Sequence, residues 1–369
     1  MNNLDKIIEL RHLLHRCPDL SGHEIGTIRI LQEFLRENTS LGICDRDGWF
    51  YAVKPSLTKP EASPPIAFRA DMDALPMDEC IDLLYGSACS GISHKCGHDG
   101  HMAALCGLAL ELNKMEADRT VYLVFQPAEE TGEGAIRCAD LIREKGIAEI
   151  YAFHNLSGYP ENSIVYRRGL TQPASEGVTI RFHGKPSHAS APEEGINPAA
   201  AIAELALFSQ RLGQEPHDGM ALCTIVGMHC GEGDFGISPG EGTLSVTLRA
   251  EQEPFMKEME MKLLSKAEEL SARDGLGAEH EIHDYFPETR NNEEALGRVI
   301  RAAEGLGLPV IEMENLWRAS EDFGHYLKRC PGAMFYIGSG EEYPAVHTDS
   351  YDCNDRILKT AVDMFLAIV

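Results

Sequence analysis

The stretch "HKCGHDGH", residues 94–101, places three histidines, one cysteine and one aspartate within eight residues. Imidazole, thiolate and carboxylate groups are the side chains that bind Zn²⁺ and related cations in proteins. A single histidine is usually a hydrogen-bonded surface or core residue, whereas this many potential ligands in one short stretch indicate a metal site. The alternative is a polar loop that happens to be rich in histidine, and the rest of the chain bears on that choice.

Four short apolar runs in the chain each end abruptly in polar residues. They are "IAF" (66–68), "VYLVF" (121–125), "EIYAF" (149–153) and "AMFYIG" (333–338). Continuously apolar runs of this length indicate strands buried on both faces, as in a parallel or mixed sheet covered by helices. Because sites in open α/β sheets form at the carboxyl ends of strands, the polar residues after these runs are predicted to converge.

Helical and strand patterns around these runs predict the fold class and the domains. The residues after "GHD" predict a helix with an apolar stripe of Met102, Leu105, Leu108 or Ala109, and Leu112. Between 172 and 286 the pattern reads strand, helix, strand, strand, helix, strand, which is typical of a compact α+β unit. We therefore expect an α/β protein: a catalytic domain (1–171 and 287–369) with a mostly parallel central sheet, and an inserted satellite α+β domain (172–286).

Bulk composition excludes some partners. The 369-residue chain has 33 basic and 58 acidic residues and a net charge of −25, which argues against nucleic acids and anionic membranes as partners. No run approaches the ~18 consecutive apolar residues of a membrane span, and charges interrupt the N-terminal stretch where a signal peptide would be apolar. The eleven cysteines are scattered. We expect a reduced, cytoplasmic protein in which Cys96 is free to act as a thiolate ligand.

Candidate ligands occur in four places, each next to a predicted strand end. Any one of them has an ordinary explanation, such as a core histidine, a solvated acidic pair or a buried thiol, and it is their combination that indicates a metal site. The acidic pair follows an apolar strand and Gln126-Pro127, where adjacent side chains of an extended segment point in different directions, so that one can bind metal while the other faces substrate. The candidates are Cys96 and His98, Glu129 and Glu130, His154, and His347.

The ordered segments of the whole chain resemble one enzyme family. They are "FRADMDALPM", "HKCGHDGHMAAL", "FQPAEETGEGA", "HGKPSHASAPEEGINPAAA", "SEDFGHY" and "HTDSYD". They resemble those of the aminoacylase/carboxypeptidase family of dinuclear metallohydrolases, and in particular its amidohydrolase branch. That branch includes hippurate hydrolase, indole-acetyl-amino-acid hydrolases and N-acetyldiaminopimelate deacetylase.

The resemblance implies two divalent metal ions and a role for each candidate residue. Glu129 resembles the general base, which takes a proton from a metal-bound water and so forms a hydroxide. It later delivers that proton to the leaving amine. His188, in "PSHAS", resembles the satellite-domain histidine that closes over the site, often that of the partner subunit in a homodimer, and stabilises the oxyanion. Cys96 resembles the bridging ligand, and the further ligands are His98, Glu130, His154 and His347.

Several positions depart from the branch or lie outside the ligand set. Gly236, in "GDFGISPGEGTL", stands where the branch usually has a substrate-binding Asn, and "HTDSYD" replaces the usual histidine-serine segment. Asp71 matches a position behind the ligands, and Arg69 stands where other branches have a histidine ligand. His94 and His101 are expected to lie outside the ligand set.

The expected function is metal-dependent hydrolysis of the amide bond of small N-acyl amino acids. A dipeptidase or an aminopeptidase using the same site is the alternative, and a non-catalytic binding protein on this fold is a further one, against which the intact Glu129 argues. Zinc suits the ligands best, with manganese, cobalt or nickel also accepted. The sequence leaves the acyl group and the amine open.

Overall fold

The computed structural model describes residues 2–56, 63–215 and 217–369. The helices are α1 (Asn3–Arg16), α2 (Ile25–Asn38), α3 (His98–Leu112), α4 (Gly134–Cys138), α5 (Asp140–Lys145), α6 (Ala199–Leu212), α7 (Glu253–Asp274), α8 (Glu293–Gly305), α9 (Gly324–Leu327) and α10 (Leu358–Ile368). The strands are β1 (Gly42–Arg46), β2 (Trp49–Lys54), β3 (Ile66–Asp71), β4 (Val121–Gln126), β5 (Glu149–Ser157), β6 (Ile164–Tyr166), β7 (Leu170–Gln172), β8 (Ala174–His183), β9 (Ser187–His188), β10 (Ala221–Cys230), β11 (Ile237–Ser238), β12 (Glu241–Ala250), β13 (Gly277–Phe286), β14 (Thr289–Arg290), β15 (Val310–Glu312) and β16 (Gly332–Gly340). Of the helices in these ranges, none combines the length and apolar character needed to cross a lipid bilayer.

The chain divides into two compact units. The first comprises Met1–Thr171, Thr289–Trp317 and Glu321–Val369, and the second comprises Gln172–Glu288 and Arg318–Ser320.

The first unit is built on an eight-stranded sheet in the order β1-β2-β4-β3-β5-β16-β6-β15. The four apolar runs predicted as buried strands are β3, β4, β5 and β16, which are neighbours in the sheet and parallel to one another. Antiparallel pairs flank this block, where β2 pairs with β4 and β16 with β6. The predicted α/β class with a mostly parallel central sheet is confirmed, and the parallel block brings four carboxyl ends to one edge of the sheet.

Helix α3 carries the second half of the histidine-rich stretch, and it is buried on all sides. A single apolar stripe was the expectation, but every residue from His98 to Leu112 except Glu111 is buried. The helix packs against β3 on one side and against α1, α2 and α10 on others. A helix enclosed in this way needs apolar or small side chains all round, so the stripe describes only part of its buried surface.

The second unit has a four-stranded antiparallel sheet in the order β10-β12-β8-β13. Helices α6 and α7 pack against this sheet. Its own apolar core includes Phe182, Leu205, Leu248 and Leu263. The element order is the one predicted for an α+β unit, with the short strands β9 and β11 added.

Candidate metal centre

Gly97 lets the chain bring Cys96 and His98 to the carboxyl edge of the sheet. Its φ is 97°, a left-handed conformation that glycine adopts without strain. A Cβ at this position would lie 2.3 Å from Oδ1 of Asn155 and 2.6 Å from the hydroxyl of Tyr351. The chain therefore turns tightly against β5 before α3 begins at His98.

Potential ligand atoms from distant parts of the chain meet at the thiol of Cys96. In one group Cys96, His98 and His154 place their ligand atoms within 4.8 Å of one another. In a second group the same distance limit holds for Cys96, Glu130 and His347. The two groups share a single sulfur atom, which is the arrangement expected of a thiolate that contacts two cations at once.

The histidines of the first group are held in the tautomer that a metal ligand needs. Nδ1 of His98 donates to the carbonyl of Asp73 at 2.9 Å, and Nδ1 of His154 donates to the carbonyl of Asn155 at 2.8 Å. Nε2 is therefore the nitrogen of each ring that remains available to a cation. Nε2 of His98 and Oε1 of Glu130 are buried without a hydrogen-bond partner in the described part of the chain. Buried polar atoms are rarely left in that state, so the site fits a bound cation.

The acidic pair lies in a turn that follows β4. The prediction that it sits on an extended strand end was wrong: β4 ends at Gln126, and Ala128 has a φ of 48°, which ends the extended segment. Gly134 closes the turn, because a Cβ there would lie 1.6 Å from the carbonyl oxygen of Pro127. The turn brings both carboxylates to His98, with Oε2 of Glu129 and Oε1 of Glu130 each 3.8 Å from its Nε2.

His347 reaches the site from the C-terminal segment. Its backbone N–H donates to the carbonyl of Lys95 at 2.7 Å, and its Nε2 lies 3.3 Å from Oε1 of Glu130. Its φ of 61° is unusual for a residue with a side chain. Such strain often accompanies functional sites, where surrounding contacts hold the conformation. The side chain of His347 is 49% exposed, so this side of the cluster faces solvent.

The cluster contains several buried acidic groups, which added positive charge would stabilise in their ionised form. Burial raises the pKa of Cys96 well above its ordinary value, and the carboxylates of Glu130 and Glu129 raise it further. Burial also raises the pKa of Glu129, with Glu321 and Glu130 adding to the shift. Burial lowers the pKa of His98, but Asp71 and other carboxylates outweigh it and raise the value to about 10. Two divalent cations would offset this excess of buried acidic groups and keep the thiol ionised.

A buried arginine with three carboxylates lies behind the acidic pair. Arg69 is paired with Asp71 at 2.7 Å, with Asp322 at 2.8 Å and with Glu321 at 3.0 Å, and all four side chains are at most 1% exposed. Burial raises the pKa of Asp322 to about 8. No role was predicted for Glu321 and Asp322, although both lie in the quoted segment "SEDFGHY". Their acidic pair next to an aromatic residue was the signal that could have drawn attention to them.

The two other histidines of the opening stretch are placed differently from the candidate ligands. His101 has Nδ1 2.6 Å from Oδ1 of Asp71 and Nε2 2.7 Å from Oδ1 of Asn155. Both ring nitrogens are therefore occupied by hydrogen bonds to neighbouring side chains. His94 is 1% exposed, and burial lowers its pKa to about 4.

Residues without a sequence signal also border the cluster. The ring of Trp317 meets that of His154 edge-on, with 5.0 Å between their centroids. Behind the opening stretch, His15 joins two carboxylates, with Nδ1 2.8 Å from Asp99 and Nε2 2.7 Å from Glu79. Trp317 and His15 are each distant in sequence from the residues that they contact, so the local sequence pattern does not reveal these contacts.

His188 belongs to the second unit. It lies on β9, opposite Ile237 of β11, and its side chain is exposed. Its Nδ1 accepts the backbone N–H of Ser190 at 3.1 Å, so the ring proton is on Nε2. The neighbouring Gly236, at the position where an Asn was expected, receives the N–H of Ala189 on its carbonyl at 2.9 Å.

The chain belongs to peptidase family M20/M25/M40, whose family model matches residues 67–369. The predicted resemblance is thereby confirmed, and the protein is a metal-binding hydrolase of the class that acts on amide bonds. The chain is 28% identical over 372 residues to the N-acetylcysteine deacetylase of Bacillus subtilis, covering 99% of this chain and 96% of that protein.

Two further comparisons bear on the site. The chain is 31% identical over 377 residues to thermostable carboxypeptidase 1 of Saccharolobus solfataricus, covering 96% of this chain and 92% of that protein. The crystal structure of the YXEP protein of Bacillus subtilis, described as a dinuclear metal-binding peptidase, matches with a TM-score of 0.83 and 26% identity, covering 99% of this chain and 97% of that chain. A pair of cations in this family accords with the two groups of potential ligands.

Proposed function

We propose that the protein cleaves the amide bond of N-acyl amino acids in a metal-dependent reaction. The observation that carries the proposal is the meeting of two groups of potential ligands at Cys96, with the carboxylate of Glu129 beside them. The name of the Bacillus subtilis relative, N-acetylcysteine deacetylase, supports an acylated amino acid as the substrate.

The ligand set fits two divalent cations. Cys96 would contact both, and the remaining ligands would be His98, Glu130, His154 and His347. When bound, the cations supply the Lewis acidity that polarises an amide carbonyl and lowers the pKa of water toward ~7. Zinc suits this mixture of thiolate, imidazole and carboxylate ligands best, and manganese, cobalt and nickel are the alternatives.

Glu129 is the proposed general base. It belongs to the same turn as Glu130, and its Oε2 lies 3.8 Å from Nε2 of His98, so it would be close to a water activated by the cations without being needed as a ligand. A carboxylate in this place can take the proton of that water and then deliver it to the amine nitrogen as the amide bond breaks.

His188 is the proposed donor to the carbonyl oxygen on which negative charge develops. The support is chemical: Nδ1 accepts the N–H of Ser190, which leaves Nε2–H on an exposed ring as a hydrogen-bond donor. Removing one donor of this type commonly lowers kcat by about 10²-fold to 10³-fold. A His188→Ala variant with unchanged kcat would exclude the role.

A dipeptidase or aminopeptidase is the second candidate, and the carboxypeptidase name of the Saccharolobus relative favours keeping it. The same cations and the same base would serve, and only the groups that recognise the acyl or amino end would differ. A non-catalytic binding protein is the third, and the presence of Glu129 beside the ligands argues against it.

The test is a substrate panel of N-acetyl amino acids, hippurate and dipeptides, assayed with Zn²⁺, Mn²⁺, Co²⁺ and Ni²⁺ added separately. We expect hydrolysis of the acylated substrates to be at least tenfold faster than that of the dipeptides. Preference for dipeptides would establish the second candidate, and failure of every amide with two cations bound would favour the third.

We further propose a catalytic domain (1–171 and 287–369) and a satellite domain (172–286) through which the chain forms a homodimer. These bounds follow the two units except at residues 287–288 and 318–320, which belong to the second unit. The two edges of the second unit's sheet differ. Strand β13 carries Glu279 and Glu281, charges that discourage edge-to-edge pairing, whereas β10 exposes the apolar side chains of Leu222, Val226 and Met228. Sedimentation equilibrium decides: a monomer at micromolar concentration would refute the dimer.

A cytoplasmic location is also proposed. All eleven cysteines lie in the described ranges and are unpaired, which accords with a reducing compartment. Cell fractionation tests this, and recovery of the protein outside the cytoplasm would contradict it.

A further inference from the structure

The residue that precedes the acidic pair has a strained backbone. Ala128 is buried and has a φ of 48°, in the left-handed region where the Cβ of an L-residue crowds the next carbonyl oxygen. Alanine has no side-chain hydrogen bond that could favour this conformation locally. Surrounding contacts must therefore hold it.

Glu24 supplies one of those contacts from the start of α2. Its Oε1 accepts the backbone N–H of Ala128 at 2.7 Å and that of Gly22 at 2.8 Å. The carboxylate is only 3% exposed. Burying a carboxylate costs free energy unless hydrogen bonds compensate it. Here the N–H groups of Ala128 and Gly22 provide that compensation. Glu24 is separated from Ala128 by 104 residues, so the contact is not local.

The turn is held at its other end by a second buried carboxylate. Oδ2 of Asp73 accepts the N–H of Glu130 at 2.9 Å and also the hydroxyl of Ser21 at 2.7 Å. Glu129 thus lies between two backbone N–H groups that are each fixed by a carboxylate from elsewhere in the first unit. The direction in which its side chain leaves the turn depends on the backbone conformation of Ala128, since that conformation sets the path into Glu129.

We propose that Glu24 is a positioning residue for the general base: by holding Ala128 in the left-handed conformation, it aims the carboxylate of Glu129. This inference rests on the role of Glu129 in the proposed function. Displacing a catalytic group by about 1 Å can lower kcat by up to ~10²-fold, so even a small change in the turn is measurable.

The experiment compares Glu24→Ala, Glu24→Gln, Ala128→Gly and the double variant Glu24→Ala/Ala128→Gly, with the exposed Glu33→Ala of the same helix as the matched control. For Glu24→Ala we expect kcat to fall about 10-fold to 100-fold, with KM within threefold and two cations still bound. Glu24→Gln retains an acceptor oxygen and is expected to lose less. Glycine populates the left-handed region freely, so the double variant is expected to recover at least half of the loss on a logarithmic scale.

Crystal structures of the wild type and Glu24→Ala give a readout that needs no substrate. We expect residue 128 to leave the left-handed region in Glu24→Ala. A φ that stays near 48° in that variant, or a kcat equal to that of the control, overturns the inference. Loss of bound cations in step with activity, or no recovery in the double variant, overturns it as well, since either result assigns Glu24 a general structural role. Inactivity of the wild type on every amide would refute the proposed function while leaving the backbone test decisive.

Discussion

The sulfur of Cys96 lies 3.4 Å from Nε2 of His154, although 58 residues separate them in the chain. Cys96 comes from the loop before α3, and His154 lies within β5, the strand next to β3 in the parallel block. Because Nδ1 of His154 is bound to the carbonyl of Asn155, the lone pair of Nε2 faces the thiol. Together with His98, these two residues would provide three ligands for one cation.

Cys96→Ser is the direct test of the shared ligand. A hydroxyl is a much poorer cation ligand than a thiolate and stays protonated, so we expect bound metal to fall from two ions toward one or none. Elemental analysis after dialysis against metal-free buffer measures this. Cys80→Ser is the matched control because Cys80 is exposed and outside both ligand groups. Two retained cations in Cys96→Ser would remove Cys96 from the ligand set.

Glu129→Gln separates catalysis from metal binding. The amide keeps the size of the side chain but is not basic, so we expect kcat to fall about 10²-fold to 10⁴-fold while two cations remain bound. Glu133→Gln removes one negative charge from the exposed part of the same turn and serves as the control. Equal rates in the two variants would show that Glu129 is not the base.

The sequence predicts the strands that carry the site better than it predicts the long-range contacts that hold the site residues in place. Continuously apolar runs such as "VYLVF" reveal buried parallel strands, and potential ligands near the carboxyl ends of these strands lie close together. The turn at Ala128 was not predictable, because its left-handed backbone depends on Glu24, 104 residues away. The pairing of Arg69 with Asp322 likewise joins residues 253 apart, and no local periodicity encodes such a contact.

The ion network around Arg11, which includes Asp99 of the histidine-rich stretch, is expected to contribute to stability. Its guanidinium is fully buried and lies 2.6 Å from Asp352, 2.9 Å from Asp355 and 3.4 Å from Asp99. Removing one partner of a buried ion network leaves uncompensated charge, so Arg11→Ala is expected to lower the free energy of unfolding by about 3–5 kcal/mol. Urea denaturation measures the change, with the exposed Arg29→Ala of α2 as the control. A loss below about 1 kcal/mol would mean that water or rearranged side chains solvate these carboxylates.

Glu176 of the second unit predicts a pH dependence of stability. Its side chain is fully buried, and burial raises its pKa from 4.5 to about 7, although Lys257 lies 2.5 Å away and opposes the shift. Between these two values the folded protein binds more protons at this site than the unfolded chain, so its contribution to stability falls as pH rises from 4.5 to 7. In Glu176→Gln this contribution is absent.

We therefore expect the free energy of unfolding of Glu176→Gln, minus that of the wild type, to increase as pH rises across that window. The increase is expected to be on the order of 1–3 kcal/mol, and the difference then stays constant at higher pH. Urea denaturation at a series of pH values, with chelator present in every sample to remove metal linkage, measures the difference. A difference that does not change with pH would mean that Glu176 titrates at its ordinary value and that Lys257 compensates its burial.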